Sequence, residues 1–298
     1  MSLTVENAAQ DFRALLTTIT SRGGIFLVLG RTDVGKSTLI QNFVRLVTAR
    51  GHPAVVLDAD LGQSTYGLPT TLNLVRFSPE AEGPQPQRIA SIFVGATSPV
   101  GHLLQTLVGC RRLLDRALEL GVRTIFIDTT GLVEGPLAVE FKLQKIDLLR
   151  PTHILALARK DELEPILRAC DWRNDLVVHR LPVATAARER SAEERRAHRQ
   201  DKYRSYFTGL VRHRFRPGEV GIWGRLPRPS AGELTGLLVG LNDGQGFCLS
   251  VGRLTNRTTN VVEVLAPWAA VTEVKMLRFG SVAIDSLGNE RYFSPRDW

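Results

Sequence analysis

Cysteine is scarce in this chain: three in 298 residues, at positions 110, 170 and 248. An odd number, widely spaced and with no C-x-x-C pair, argues against a disulfide framework or a thiolate zinc site and fits a reducing compartment. Long apolar runs are missing as well. No stretch approaches the roughly 20 apolar residues needed to cross a bilayer. Polar residues scattered through Met1–Gly24 leave no room for a signal-peptide core. Together these absences predict a soluble, cytoplasmic protein with no membrane association. Low-complexity tracts and internal repeats are lacking too. What remains is 43% hydrophobic and 23% charged, long enough for one large domain or two.

Acidic residues are in deficit, 30 against 38 Lys and Arg. The imbalance is local: from Arg188 to Arg228 there are 12 basic and 5 acidic residues, so this window carries +7 of the net +8. A patch of this kind suits a polyanionic partner. Interleaved Glu189, Glu193 and Glu194 also suit an ordinary salt-bridged surface helix.

The apolar pattern alternates between two periods. Helical spacing is predicted over 8–22, Ser37–Arg50, Leu103–Leu120, Leu137–Leu149 (opened by Pro136) and Glu162–Cys170. Short apolar runs between them predict strands at Ile25–Leu29, Ala54–Leu57, Ile92–Val94, Thr124–Ile127, Ile154–Ala158 and Leu176–His179. Apolar strands separated by helices indicate an α/β fold, a mainly parallel sheet covered on both faces. Ser191-Ala-Glu-Glu194 is a capping-box signal for a charged helix running to about Phe207. Beyond about Gly209 the helical pattern stops. Short strands are predicted at Gly221–Trp223, Leu237–Leu241, Phe247–Val251, Val261–Leu265, Val271–Leu277 and Ser281–Ile284, with a turn at Asn242-Asp-Gly244. The expected division is a P-loop domain over 1–208, with a lid helix at about 188–207, and a small all-β domain over 209–298. Trp223, Trp268 and Trp298 in the latter suit core or interface packing better than base stacking.

Gly30-Arg31-Thr32-Asp33-Val34-Gly35-Lys36-Ser37-Thr38 satisfies G-x-x-x-x-G-K-[ST] between a strand and a helix. The glycines let successive N–H groups curl around phosphate oxygens, and the helix directs its positive end at the same anion. Lys36 reaches the β- and γ-phosphates, and the Ser37 hydroxyl is a ligand for Mg²⁺. ATP or another nucleoside triphosphate is therefore the expected cofactor. Asp58 and Asp60 stand on one side of the next strand's end. One can hold Mg²⁺ or its water shell, and the other can accept a proton from an attacking hydroxyl. Gln63 is placed to orient a hydroxyl or water. Asp128-Thr-Thr-Gly131 matches the D-x-x-G of GTPases, but the guanine-reading Asn-Lys-x-Asp has only Arg159-Lys-Asp161 as a partial counterpart. Arg188, Arg190, Arg195, Arg196 and Arg199 bracket or lie on the charged helix, a suitable source of cationic fingers for a transferring phosphoryl group.

Taken together these residues resemble the polynucleotide 5′-hydroxyl kinase family. The resemblance rests on Thr32-Asp-Val-Gly-Lys-Ser-Thr38, Asp58-x-Asp-x-Gly-Gln63, Thr129-Thr-Gly131, and Arg190-Ser-x-x-x-Arg-Arg-x-x-Arg199 running into Tyr203-Arg-x-Tyr-Phe207. It implies transfer of the γ-phosphate of ATP, with Mg²⁺, to the 5′-OH of RNA or DNA. It assigns phosphate and Mg²⁺ handling to Lys36 and Ser37, with Asp58 in the metal shell. Asp60 becomes the general base, and Arg190 and Arg195 the lid arginines. Gln63, Thr129, Thr130, Gly131, Leu132, Arg196 and Arg199 fall on the substrate side. The family's clasp usually ends in Trp, where this chain has Leu132; stacking by such a Trp contributes on the order of 1–3 kcal/mol per base. Eukaryotic members also carry a sizeable N-terminal domain that helps hold the nucleotide base, whereas about two dozen residues precede the P-loop strand here. Two other readings fit the residues: a nucleotide-binding scaffold without turnover, and an NTPase or GTPase switch.

Overall fold

The structure is a computed structural model and describes residues 5–79, 83–216, 218–224, 234–267 and 271–293. Trp268 and Trp298 lie outside the described residues.

The first sheet contains β1 (Gly24–Leu29), β2 (Ala54–Ala59), β3 (Thr71–Phe77), β4 (Pro86–Phe93), β5 (Thr124–Thr129), β6 (His153–Ala158) and β7 (Val177–Pro182), in the order β4-β3-β2-β5-β1-β6-β7. The five strands from β2 through β5, β1 and β6 to β7 pair in parallel, whereas β3 runs antiparallel to β2. β1, β2 and β5 are almost wholly buried, which is why they read as unbroken apolar runs. Their helices are α1 (Val5–Ser21), α2 (Lys36–Thr48), α3 (Leu103–Glu119), α4 (Pro136–Leu149) and α5 (Glu164–Cys170). A stack of aromatic rings ties these layers together: Phe12 on Phe43 at 5.2 Å, Phe43 on Phe126 at 5.9 Å, and Phe126 against Phe26 at 5.4 Å.

α6 (Ala192–Tyr206) begins at Ser191 with both halves of the expected capping box. The Glu194 N–H donates to Ser191 Oγ at 3.0 Å, and the Ser191 N–H donates to the Glu194 carboxylate at 2.6 Å. The second sheet comprises β8 (Val211–Phe215), β10 (Leu237–Asn242), β11 (Cys248–Arg257), β12 (Val262–Ala266), β13 (Met276–Ile284) and β14 (Glu290–Tyr292), in the order β14-β13-β10-β11-β12-β8, with β9 (Gly221–Trp223) paired to β13. Its main pairings are antiparallel, as the hairpin signal requires; the turn itself is longer than expected, with the Asp243 carboxylate accepting the N–H groups of Gln245 and Phe247. The segment expected as a strand over Val271–Leu277 instead opens with a 3-10 turn, Val271–Glu273, and β13 then runs through to Ile284. Trp223 is 59% exposed, so it is not a core residue.

The chain forms two compact units, and they do not follow a single cut at 208/209. One contains residues 1–60, 73–89 and 107–189; the other contains 61–72, 90–106 and 190–298. The second unit therefore holds α6 and two earlier excursions along with the β-sheet. Its core shows why. Leu68 and Phe93, from those excursions, pack with Tyr203 of α6 and with Leu238, Val251 and Val282 of the sheet. Three polar ties add to this apolar cluster. Lys202 Nζ donates to the carbonyls of Ser64, Thr65 and Gly67; His102 Nε2 lies 3.0 Å from Ser281 Oγ; and the Ser281 N–H donates to the Gly95 carbonyl at 2.8 Å.

Candidate functional site

Three adjacent strands of the first unit, β2, β5 and β1, end on the same side, where open parallel sheets bind ligands. β1 runs into the Gly30–Thr38 loop, and α2 leaves it. Gly35 caps α2 at φ 91°, a left-handed conformation natural to glycine, and the cap makes no side-chain hydrogen bond. The N–H groups of the first turn are thus left to an anion rather than to a capping hydroxyl. Asp33 is also left-handed, at φ 63°, a conformation that costs a non-glycine residue of order 1 kcal/mol and is typical of ligand loops. Lys36 is buried, and its ammonium crosses the loop to the Arg31 carbonyl at 2.7 Å. Arg31 pairs with Glu134 at 3.1 Å.

The carboxylates come from the neighbouring strands. Register places Asp58 of β2 beside Asp128 of β5, and both are buried. Ser37 Oγ donates to Asp128 Oδ2 at 2.5 Å, joining the P-loop helix to the end of β5. Burial pushes the Asp128 carboxyl up to about 7; Lys36 opposes the rise, Asp58 adds to it, the Ser37 hydrogen bond opposes it and Asp60 adds a little more. Asp60 lies just past the end of β2, is partly exposed, and donates its N–H to Asp58 Oδ1 at 3.3 Å. The two acids of the Asp-x-Asp pair therefore differ: Asp58 sits within the sheet and Asp60 beyond it.

Ser37 Oγ, Asp58 and Asp128 form a set of hard oxygen donors suited to Mg²⁺. No cluster of three acidic, His or Cys side chains occurs among the described residues. Mg²⁺ does not need one, because it is commonly held by one or two carboxylates together with the phosphates it escorts. Asp128 was legible only as part of D-x-x-G; its place beside Asp58 and Ser37 follows from the strand register and the bond to Ser37.

The last residue of β5 is tied down on two sides. The Thr129 N–H donates to Asp128 Oδ1 at 2.9 Å, and Thr129 Oγ1 donates to the Val28 carbonyl at 2.8 Å. Gly131 lies against the P-loop so closely that a Cβ would fall 2.1 Å from Thr32 Oγ1, so any side chain there would displace the loop. Leu132 is half-buried. Thr32, Thr129, Thr130 and Gly131 are thus brought together with Lys36, Ser37, Asp58 and Asp60 in one unit.

Gln63, Arg190, Arg195, Arg196 and Arg199 belong to the other unit. Gln63 Nε2 donates to the carbonyls of Gly62 and Arg195. Arg195 reaches the Arg190 carbonyl at 2.5 Å, and Arg196 is exposed. Arg199, expected on the substrate side, is engaged by Glu290 in a two-pronged ion pair, both bonds 2.7 Å long. Glu290 is 1% exposed, so this pair is an interior strut of the second unit.

Two residues near the site escaped the sequence reading. Lys142 and Lys145 are completely buried on α4. Both lie in the inward stripe formed by positions 138, 141, 142, 145, 146 and 149. Lysines within an otherwise apolar stripe were the available signal.

A family model for the mRNA cleavage and polyadenylation factor CLP1 P-loop matches residues 30–209. Among curated relatives, a polyribonucleotide 5′-hydroxyl-kinase of Pyrococcus abyssi is 28% identical over 319 residues, covering 89% of this chain and 88% of its own. One from Thermococcus kodakarensis is 27% identical over 347 residues, covering 98% and 97%. A CLP1 homologue of Anopheles gambiae is 26% identical over 222 residues, covering 70% of this chain and 51% of its own. The solved Clp1p–Pcf11p complex contains a chain of the same fold, with a TM-score of 0.67 at 13% identity, covering 94% of this chain and 82% of that one. With the match spanning the P-loop, the acidic strand ends and the arginine helix alike, the chain belongs to the CLP1 P-loop family.

Proposed function

We propose that this chain is a polynucleotide 5′-hydroxyl kinase, which transfers the γ-phosphate of ATP to the 5′-OH end of RNA or DNA. The observation that carries the reading is the convergence of Lys36, the Ser37–Asp128 pair and the Asp58/Asp60 pair at the ends of three neighbouring strands. The name polyribonucleotide 5′-hydroxyl-kinase, borne by the archaeal relatives, supports RNA as the acceptor.

In the reaction the acceptor's 5′ oxygen forms a bond to the γ-phosphorus as the bond to the β–γ bridging oxygen breaks. ADP leaves, and the hydroxyl proton passes to Asp60. Asp60 suits this role because it is partly exposed beyond the strand, while Asp58 and Asp128 are buried beside the Ser37 hydroxyl. Mg²⁺ bound by Ser37, Asp58 and Asp128 would neutralise charge on the phosphates. The P-loop N–H groups and Lys36, which exchanges its Arg31 partner for phosphate, hold the triphosphate in line for transfer. Arg190, just before α6, and Arg195 on it supply the cationic cover for the transferring group, with Arg196 and Arg199 farther along the helix. The basic segment 188–228 follows the polynucleotide backbone, so binding weakens with salt. Three buried thiols, none in a disulfide, support a reducing, cytoplasmic setting.

Incubation with labelled ATP and a panel of 5′-OH RNA and DNA oligonucleotides tests the reading directly. Label should move to the 5′ end only when Mg²⁺ is present; retained ATP binding with no transfer to any acceptor overturns it. Asp60→Asn should lower turnover about 10²- to 10⁴-fold with nucleotide affinity preserved. Near-normal turnover would remove Asp60 from the role of base. Leu132, in place of an aromatic clasp, favours a second reading, a nucleotide-binding scaffold. Tight ATP retention without transfer would select it, whereas phosphate release without an acceptor would point to an NTPase switch.

A further inference from the structure

α4 is an ordinary inward-packing helix except at its two buried lysines, of which Lys142 reaches oxygen acceptors. The Lys142 side chain is 0% exposed, yet its amino group is spent on two groups only, one on the last residue of β5 and one just beyond it. One bond, of 3.0 Å, goes to Thr129 Oγ1, and the other, of 2.7 Å, goes to the Thr130 carbonyl. A lysine is costly to bury, and an apolar residue of similar length would fill the stripe without that cost. The fold therefore keeps Lys142 where its N–H donors matter.

The two bonds do different things. Accepting from Lys142 leaves the Thr129 hydroxyl with its proton directed to Val28, in the strand that feeds the P-loop. The bond to the Thr130 carbonyl fixes the peptide plane between Thr130 and Gly131, and Gly131 is already locked against Thr32. Thr130 is thereby held on both sides. Its own hydroxyl, however, is buried and has no hydrogen-bond partner among the described residues. An orphaned buried hydroxyl is costly, and such groups in native folds call for an explanation, a bound ligand among them. Here the orphan sits in the segment that follows Asp128 and lies against the P-loop.

We propose that Lys142 is a positioning residue for acceptor recognition: by gripping Thr129 and Thr130 from within the core it presents the Thr130 hydroxyl to the 5′-terminal nucleotide. The inference rests on the kinase reading above. It does not depend on the charge state of Lys142, since an amine and an ammonium both supply the two N–H donors.

The test compares Lys142→Met, Thr130→Val and the double variant, all similar in volume to the native side chains. Two measurements are made: steady-state transfer, and binding of a fluorescent 5′-OH RNA oligonucleotide in the presence of a non-hydrolysable ATP analogue. Each single variant should raise the acceptor KM and the oligonucleotide Kd about tenfold, while the KM for ATP stays within twofold. The double variant should be no worse than the more impaired single one, because Lys142 acts through Thr130. Equal losses for ATP and acceptor, additive effects in the double variant, or an unchanged acceptor KM would each overturn the proposal. If Lys142→Met does not fold, Thr129→Val removes one of the two acceptors without emptying the core; the same split is expected, and its absence overturns the proposal. Oligonucleotide binding separates the two levels of argument. A wild-type chain that binds the acceptor yet transfers nothing sinks the kinase reading, while variants that bind it as wild type does sink the role of Lys142.

Discussion

α4 and α6 each carry several basic side chains, but they handle them in opposite ways. α4 takes Lys142 and Lys145 fully into the interior, and Lys142 holds backbone and hydroxyl oxygens in place. α6 keeps most of its arginines at or near the surface, among the carboxylates of Glu193, Glu194 and Asp201. The difference lies in solvation. A surface guanidinium keeps its hydration and remains available to a polyanion. A buried lysine head has given up its water, so its value lies in the geometry it enforces. Composition alone ranks α6 as the functional helix and α4 as scaffold; under the proposed reaction both have a part, α6 as a source of solvated cations and α4 by placement.

The sharpest way to break this contrast is to remove a surface arginine. Arg195→Ala should lower turnover on the order of 10³-fold, the scale of a lost arginine finger, with the melting temperature essentially unchanged. Arg195→Lys should not restore it, because a point charge does not reproduce the planar fork. Turnover within a few-fold of wild type would return α6 to the status of a solvated helix. Arg199 is the exception on its own helix. Its partner Glu290 is buried, so Glu290→Gln should destabilise the protein by roughly 3–5 kcal/mol, read from chemical denaturation. A loss below about 1 kcal/mol would show that this pair behaves like an exposed one.

The legible parts were those where chemistry dictates residue type at fixed spacing. Gly35, Lys36 and Ser37 could be read because backbone curl, cation and hydroxyl leave few substitutes, and Ser191 and Glu194 because a capping box is local. β3 was missed because Asn73 and Arg76 break its apolar run, although Asn73 is itself buried. β13 read as two strands because Gly280 interrupts it. Its Cα lies so near Gly95 that a Cβ would sit 2.8 Å from the Gly95 Cα, a demand made by a segment far away in sequence. The assembly of the second unit from three stretches of chain was hidden for the same reason. In the site, Asp60 was visible, but the pairing of Ser37 with Asp128 depends on which strands are neighbours, and sequence order does not reveal that. The α4 lysines were visible as letters; only burial gives them meaning.

The remaining predictions concern interior charge, where the expected effects are smaller. In metal-free protein the raised Asp128 carboxyl, near 7 against about 3.9 unfolded, works against folding once it must ionise. Relative to this group, stability is fully present below about pH 4, is lost as pH rises towards 7, and is level above that. Asp128→Asn should therefore stabilise the metal-free protein by roughly 2–4 kcal/mol at pH 8 and by almost nothing at pH 4. Stabilisation by Mg²⁺ with ATP should be lost in the same variant. Equal stabilisation at both pH values would deny the carboxyl its elevated proton affinity.

Lys145 provides the finest test. Its ammonium is buried beside the Cys110 thiol and 4.8 Å from the centre of the Phe141 ring, with no oxygen acceptor among the described residues. Unlike Lys142, it holds nothing described in the loop after β5. Lys145→Met should then remove a desolvation cost that the thiol and the ring offset only in part, and raise stability by about 1 kcal/mol, with transfer kinetics within twofold of wild type. If Lys145→Met instead raised the acceptor KM as Lys142→Met should, the two lysines would be acting as one charged unit. The distinction drawn between enforcing geometry and merely occupying the interior would then fail at the place where the helix makes it most plainly, since the two side chains stand three residues apart on the same buried stripe.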